Sequence, residues 1–389
     1  MNKLVKRKLS KAVLKTVGKK LVLIALVLSP IYLYFIISYS VFLNDPIEKK
    51  PWVSWFDDPS QTVYVSWETK DATKGIVTYG TNKQSLSDNV LESIAVKIHH
   101  VNLTSLTPDT KYYYEVRIEG QLFGSGEFRT APSTYKPFTW GMISDTQQNL
   151  GQGHYYRTAR VLDTKNYAFV ADVGDLVDEG DEIAYYNNFF TVSSQYFDTI
   201  PFVPVEGNHD AHQPSLFQNY YINKVNKSQE QFYYSFNWSS VHFQICSFPY
   251  GRQSEITDAQ MAWIKQDLAN AQSIPFRVVL FHCPIIGSSF FGRNEVLIEN
   301  VQPILLQYNV TAVIHGHEHH FERGHIGDMM YMILGGGGAI QDVGLRPQPE
   351  AEVLTISPCY TEVYATASSL TFTTLSLEGD ILDSYTINA

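Results

Sequence analysis

The sequence predicts a layered α/β domain, preceded by a small all-β sandwich and by one membrane-spanning helix at the N-terminus. Three observations support this prediction. An uncharged apolar stretch lies near the start of the chain, short β-branched and aromatic segments follow it, and strands alternate with helices in the remainder. With 389 residues, 44% of them hydrophobic, the chain is long enough for two globular domains with full-sized cores.

The N-terminal segment combines a basic run with an apolar run. Residues 1–20 hold eight of the 29 basic residues and form the predicted cytoplasmic segment, and residues 21–43 contain no charged side chain. These 23 residues exceed the roughly 20 that a helix needs to cross a bilayer, so we predict an uncleaved signal anchor. A cleaved leader is the alternative, because Pro30 interrupts the stretch. Since basic residues stay in the cytoplasm, both interpretations export the rest of the chain.

The exported part is acidic. Residues 44–389 carry 39 acidic side chains and 21 basic ones, which are the 29 less the eight above, and their net charge is −18. Such a surface repels polyanions, so nucleic acid is not an expected partner. Three cysteines are too few for a disulfide framework, and Cys246 and Cys283 lie in apolar runs where we expect core residues.

Residues 44–133 predict a small β-sandwich. Short alternating segments separated by turns are typical of this architecture. The run 103–114 resembles the turn and tyrosine corner of fibronectin type III domains, so we expect its tyrosines to pack in the core and to make one backbone hydrogen bond. The predicted strands are 62–67, 75–79, 94–101, 111–118 and 126–130.

Residues 134–389 predict the α/β domain, because apolar strands alternate with helices and a strand-rich tail follows at 331–387. Thr257 is the expected N-cap of one helix. The predicted helices are 154–163, 182–197, 258–271 and 295–308. The predicted strands are 140–144, 167–173, 201–205, 232–236, 241–247, 276–281 and 311–314.

Five short segments with metal-binding side chains follow predicted strands. In an open α/β sheet the loops beyond the carboxyl ends of strands form the crevice where ligands collect, so we expect the five segments to converge. Two carboxylates, an amide oxygen and three imidazoles, without thiolates, suit iron, manganese or zinc rather than calcium. The segments are Ser144-Asp145-Thr146-Gln147, Gly174-Asp175-Leu176-Val177-Asp178, Gly207-Asn208-His209-Asp210, Phe281-His282 and Gly316-His317-Glu318-His319.

The order and spacing of these segments resemble the calcineurin-like metallophosphoesterases. The chain is most similar to the purple acid phosphatase branch, which also has an N-terminal fibronectin-like domain and the ending Gly-His-x-His-x-x-Glu-Arg, here residues 316–323. The resemblance covers residues 51–388. It implies the metallophosphoesterase fold, in which two packed mixed sheets are flanked by helices, and a centre of two divalent or trivalent ions of iron, manganese or zinc.

The resemblance also implies a role for each side chain. Asp145 and His319 would bind the first metal, Asp175 would bridge, and the second metal would take the three ligands Asn208, His282 and His317. His209 is the expected general acid, because a protonated imidazole neutralises the charge on the leaving oxygen. Asp210 is expected to hold the ring of His209 and to raise its pKa.

Two positions depart from the family. Gln147 replaces a histidine, and we expect its amide oxygen to coordinate the first metal, the alternative being a hydrogen bond to a metal-bound water. Asp178 replaces the tyrosine that colours the purple enzymes, so we expect a colourless protein in which Asp178 orients its neighbours. Arg293, in the loop after His282, is a candidate for contact with a phosphate oxygen.

These features predict a membrane-anchored, extracytoplasmic phosphoesterase that hydrolyses phosphomonoesters by attack of a metal-bound hydroxide, since no serine or cysteine nucleophile constellation is present. Two alternatives stay open. One is a phosphodiesterase acting on nucleotides or lipid head groups, favoured by Gln147 and by the membrane tether. The other is a surface binding module whose metal site is vestigial.

Overall fold

The computed structural model describes residues 48–148, 153–211, 216–221 and 232–389. The basic segment 1–20 and the predicted anchor 21–43 lie outside these residues. Within the described part of the chain, no helix has the length and apolarity needed to cross a bilayer.

Two antiparallel sheets form the N-terminal domain. Its described strands are β1 (Lys49–Ser54), β2 (Val63–Thr73), β3 (Gly75–Gly80), β4 (Asp88–Leu91), β5 (Val96–Leu103), β6 (Lys111–Ile118) and β7 (Gln121–Arg129). One sheet has the order β1-β2-β5 and the other β4-β3-β6-β7. Burial alternates along β5 and β6, as expected when one face of each sheet packs on a shared core.

Two mixed sheets form the C-terminal domain, with orders β10-β9-β8-β18-β19-β20 and β11-β12-β13-β14-β16-β15-β17. Their strands are β8 (Phe138–Ile143), β9 (Val170–Asp172), β10 (Phe202–Pro204), β11 (Tyr234–Trp238), β12 (Val241–Ile245), β13 (Phe276–Leu280), β14 (Ala312–His315), β15 (Phe321–Ile326), β16 (Met329–Leu334), β17 (Ala351–Thr355), β18 (Cys359–Ala365), β19 (Ser369–Ser376) and β20 (Ile381–Asn388). The described α-helices are α1 (Tyr155–Leu162), α2 (Ile183–Ser193), α3 (Phe217–Tyr220), α4 (Asp258–Asn270), α5 (Glu295–Asn300) and α6 (Gln302–Gln307).

The two mixed sheets pack face to face through aromatic side chains. The ring of Trp140 on β8 meets the ring of Phe243 on β12 edge to face, with centroids 5.1 Å apart. On the outer face of the second sheet, Leu268 of α4 and Leu305 of α6 belong to a separate buried cluster. Within the sheets, β10-β9-β8 and β12-β13-β14-β16 run parallel, so their carboxyl ends form a common edge.

Several local predictions are confirmed. The backbone N–H of Thr107 donates to the Tyr112 hydroxyl at 3.0 Å, which is the bond expected of the tyrosine corner. Thr257 caps α4, and its hydroxyl accepts from the Gln260 N–H at 3.3 Å. The three free cysteines are all buried: Cys246, Cys283 and Cys359.

The single helix predicted for 295–308 is wrong. The structure has two short helices, α5 and α6, which meet at Val301. Pro303 lies in the first turn of α6, where its missing N–H is tolerated. Inside a continuous helix the same proline would remove a hydrogen bond and clash with the preceding turn.

Candidate metal centre

The candidate ligands lie in five loops that follow strands of the two mixed sheets. Asp145 follows β8, Asp175 follows β9 and Asn208 follows β10, whereas His282 follows β13 and residues 316–319 follow β14. Since parallel strands end on one side of a sheet, these loops meet at the common carboxyl edge. The structure brings together all the predicted ligands: Asp145, Gln147, Asp175, Asn208, His282, His317 and His319.

One group of donors surrounds Asp175 and Asn208. Asp175 Oδ2 lies 3.1 Å from His282 Nε2, and Asn208 Oδ1 lies 3.2 Å from His282 Nε2 and 2.7 Å from His317 Nδ1. Ligand atoms of Asp175, His282 and His317 all lie within 4.8 Å of one another. Donor atoms that each bind one ion at about 2.0–2.2 Å lie about as far from one another as the donor atoms of this group do. The group therefore fits a single cation.

A second group contains Asp145, Gln147 and His319. Asp145 Oδ1 lies 3.5 Å from His319 Nε2, and Gln147 Nε2 lies 3.3 Å from that nitrogen and 3.5 Å from Asp175 Oδ2. Within the described residues, the buried Gln147 Oε1 accepts no hydrogen bond. An unpaired buried acceptor costs about 1–3 kcal/mol, so a cation beside this oxygen fits the site. Asp175 is common to both groups.

Backbone carbonyls fix the orientation of two candidate ligand rings. His282 Nδ1 donates to the Val173 carbonyl at 2.8 Å, and His319 Nδ1 donates to the Ile340 carbonyl at 2.8 Å. In each ring Nδ1 is held by its carbonyl, so Nε2 faces the carboxylates and would offer its lone pair to a cation once it loses its proton. This arrangement is usual for metal-binding histidines, in which the second nitrogen sets tautomer and direction.

The backbone at the centre is held in unusual conformations. Asp145, Asp175 and His317 have φ angles of 58°, 56° and 69°, in the left-handed region that non-glycine residues rarely adopt. Each costs about 1–3 kcal/mol, and such strain clusters at functional sites. Glycine is required nearby, because an added Cβ would lie 2.2 Å from Asp175 N at Gly207 and 2.6 Å from Asp145 Oδ2 at Gly316.

The carboxylates create a strong preference for positive charge. Burial alone lowers the pKa of His282, but Asp175 and Asp145 raise it to about 10. Burial likewise lowers the pKa of His319, which Asp145 raises to about 9. His317 behaves oppositely, since burial and the neighbouring His282 lower its pKa to about 4. The donor set of oxygens and imidazoles fits iron, manganese or zinc.

His209 is partly exposed to solvent, with 40% of its side chain accessible. Its Nδ1 donates to the Asp178 carbonyl at 2.7 Å, and its Nε2 lies 3.9 Å from Asp175 Oδ2. Burial lowers the pKa of His209, yet Asp175 and the Asp178 carbonyl raise it above its ordinary value. The main-chain carbonyl of Asp178 therefore orients the ring of His209, and a role for the Asp178 side chain stays a prediction.

The expectation that Asp210 holds the His209 ring is corrected by the structure. The Asp210 carboxylate accepts from the Gly207 N–H at 3.0 Å and from the Leu176 N–H at 3.2 Å. Asp210 is buried beneath the loops, where backbone N–H groups need an acceptor, whereas His209 points toward solvent. Asp210 still contributes to the raised pKa of His209, but less than Asp175 does.

Comparison with known proteins agrees with this geometry. A family profile for calcineurin-like phosphoesterases matches residues 139–321, and one for the purple acid phosphatase N-terminal domain matches residues 50–133. The chain contains a calcineurin-like phosphoesterase domain preceded by a purple acid phosphatase N-terminal domain. The predicted α/β fold with its N-terminal β domain is thereby confirmed.

Several known proteins and one solved structure are similar to this chain. Purple acid phosphatase 21 of Arabidopsis thaliana is 27% identical over 277 residues, which cover 64% of this chain and 60% of that protein. An uncharacterised protein of Mycobacterium tuberculosis is 26% identical over 379 residues, which cover 76% of this chain and 71% of that protein. The purple acid phosphatase structure from yellow lupin superposes with a TM-score of 0.73 at 18% identity. The superposition covers 88% of this chain and 74% of the lupin chain. The phosphoesterase is a metal-dependent phosphatase.

Sequence reasoning missed residues that support the phosphoesterase site from outside the motifs. The His319 N–H donates to Asp342 Oδ2 at 3.0 Å, and Phe291 packs its ring 4.4 Å from the ring of His317. No sequence pattern marked Asp342 as a site residue, because it lies in an irregular loop. Phe291 did offer a signal, since it lies in the loop that follows the candidate ligand His282.

Proposed function

We propose that the chain is a membrane-anchored, extracytoplasmic phosphoesterase that hydrolyses phosphomonoesters at a centre of two metal ions. The observation that carries the proposal is the convergence of seven oxygen and nitrogen donors in two groups that share Asp175. When bound, ions of iron, manganese or zinc would polarise the phosphoryl group and acidify water.

The protein's own contribution is orientation and a proton. His209 is the proposed general acid: its Nδ1 is held by the Asp178 carbonyl, so Nε2 is the nitrogen that can deliver a proton to the leaving oxygen. The exposed ring allows access to substrate, and its raised pKa keeps it protonated closer to neutral pH. Asp175 orients this loop through the His209 N–H, which it accepts at 2.8 Å.

Loss of two ligands tests the proposal. Asp175→Ala and His317→Ala are expected to reduce phosphate release from nitrophenyl phosphate by more than about 100-fold, while circular dichroism shows a folded protein. Asp328→Ala, at an exposed turn, is the matched control and should keep full activity. Full activity in both ligand variants would refute the function. Turnover of bis-nitrophenyl phosphate on the same preparation separates a phosphodiesterase from a phosphomonoesterase.

The membrane location rests on the sequence of residues 1–43, with its basic run followed by an apolar run. We expect the full chain to sediment with membranes and to resist carbonate extraction, and we expect protease added outside the cell to cleave residues 44–389. Release of the full chain by carbonate, or protection of its catalytic domain in intact cells, would contradict this location.

A further inference from the structure

A cavity of 360 Å³ opens beside His317. Its size falls within the range of small-molecule sites, and its lining includes His317 and Arg293, the candidate for contact with a phosphate oxygen. Because His317 belongs to the candidate metal centre, the cavity adjoins the place where a phosphoryl group would bind.

An aromatic side chain forms one wall of the cavity. The ring of Phe291 lies 4.4 Å from the His317 ring, yet 61% of the residue stays exposed. An apolar side chain that both touches a candidate ligand and faces an open cavity has unused contact area. That area is available to an apolar part of a substrate.

The loop that carries Phe291 is anchored. The Ser289 N–H donates to the buried Glu318 carboxylate at 2.9 Å, and the Gly287 N–H donates to the Gly292 carbonyl at 3.1 Å across the loop. Glu318 lies between the two ligand histidines of the last motif. Phe291 is therefore presented by a loop tied to the metal centre, which lowers the entropy cost of binding against it.

The rest of the cavity wall offers a second aromatic ring and a cation. Tyr250 lines the cavity, and the Arg252 guanidinium lies 5.1 Å from the centroid of its ring. Arg293, the candidate for phosphate contact, also lines the cavity and pairs with Glu350 at 2.9 Å. A flat ring in this cavity would meet aromatic faces and a guanidinium, which attract it by stacking and by cation–π interaction.

We propose that the cavity binds the alcohol portion of the substrate and that Phe291 selects phosphoesters of aromatic alcohols. This inference rests on the proposed function. Phe291 acts on substrate choice through contact with the leaving group, whereas the metal ligands and His209 act on every phosphoester alike.

Three substrates and three variants test the inference in the full chain. The substrates are 1-naphthyl phosphate, hexyl phosphate and glycerol 2-phosphate, and comparing each variant with wild type on one substrate cancels intrinsic leaving-group reactivity. Phe291→Ala should raise KM for naphthyl phosphate roughly two- to tenfold, raise KM for hexyl phosphate less, and leave KM for glycerol 2-phosphate unchanged. Phe291→Tyr, which keeps an aromatic ring, should restore the wild-type KM for naphthyl phosphate. Phe290→Ala is the matched control, since Phe290 is 91% exposed and does not line the cavity, and should change nothing.

The possible failures are distinguishable. If wild type hydrolyses none of the three substrates, the proposed function fails. If wild type is active but Phe291→Ala leaves KM for naphthyl phosphate unchanged, or raises KM for hexyl phosphate equally, aromatic selection by Phe291 is overturned. An equal fall of kcat on all substrates also overturns it, because Phe291 would then act only by supporting His317.

Discussion

Gln147 occupies the position where the chain departs most from its family's ligand pattern. Its Nε2 faces Asp175 and His319, and its Oε1 is buried, with no partner among the residues described. The sequence left open whether this amide binds metal or only a water. The buried oxygen favours coordination, because the described residues offer it no hydrogen-bond donor.

Substitutions at Gln147 separate the two roles. Gln147→Ala should weaken the affinity for one of the two ions by at least about tenfold, whereas Gln147→Glu, which keeps an oxygen at the same place, should retain binding. Isothermal titration with manganese or zinc measures both sites. If Gln147→Glu binds as weakly as Gln147→Ala, the amide N–H is the essential group and coordination through oxygen is contradicted.

The histidine pKa values predict that protons compete with metal. In protein stripped by a chelator, His282 and His319, with pKa values of about 10 and 9, carry protons at neutral pH. Binding must release about two protons at pH 7, so affinity should rise as the pH increases toward 9–10. Titrations in buffers of different ionisation enthalpy count the protons. Affinity that is independent of pH between 6 and 9 would contradict this.

At the scale of elements, the loops after β9 and β10 are joined by Asp210. Asp210→Ala leaves the N–H groups of Gly207 and Leu176 without their acceptor, at a cost of about 1–3 kcal/mol each in the free energy of unfolding. Urea unfolding should show this loss, whereas His209→Ala, at a partly exposed side chain, should lose turnover but little stability. An Asp210→Ala protein of full stability, altered only in the pH profile of turnover, would instead support the original assignment as ring partner.

Elements were predictable where local sequence decides them. Thr257 capped α4 as expected, because capping depends on a few adjacent residues. In contrast, β15 was missed, since its Glu322 and Arg323 are charged yet buried. Their partners, Tyr331 at 2.6 Å and Asp383 at 2.6 Å, come from other strands and cannot be located from local pattern.

The same distinction applies to the candidate site. The convergence of the seven candidate ligands was predictable, because strand ends of one sheet edge converge whatever their sequence separation. The hydrogen bonds of Asp210 and the cavity wall at Phe291 were not, since both depend on how irregular loops pack. Loop conformation is set by contacts that span 30 residues or more, as between Leu176 and Asp210.

At the scale of the whole molecule, the N-terminal β domain and the phosphoesterase domain share a core. Trp52 of β1 packs 4.6 Å from Phe190 of α2, and Trp55 packs 5.1 Å from Trp238 of β11. Buried Lys49 pairs with Glu68 in its own domain and donates to an amide of α2. Such an interface makes the β domain a structural part of the enzyme rather than a tethered module.

One cooperative unfolding transition is therefore expected for both domains. Trp52→Ala should lower the free energy of unfolding by about 3–5 kcal/mol and shift the whole transition. Leu91→Ala, at a residue that is 68% exposed on the β-domain edge, is the control and should stay within about 0.5 kcal/mol of wild type. Two separate calorimetric transitions, with only the first moved by Trp52→Ala, would contradict a shared core.

The central claim is that two adjacent ions bind between the five loops. Anomalous diffraction from crystals of the metal-loaded protein tests it most directly. The account predicts two peaks about 3.5–4 Å apart, with the Asp175 carboxylate between them, Asp145, Gln147 and His319 around one, and Asn208, His282 and His317 around the other. A single peak in active protein, or two peaks away from these side chains, would contradict the account.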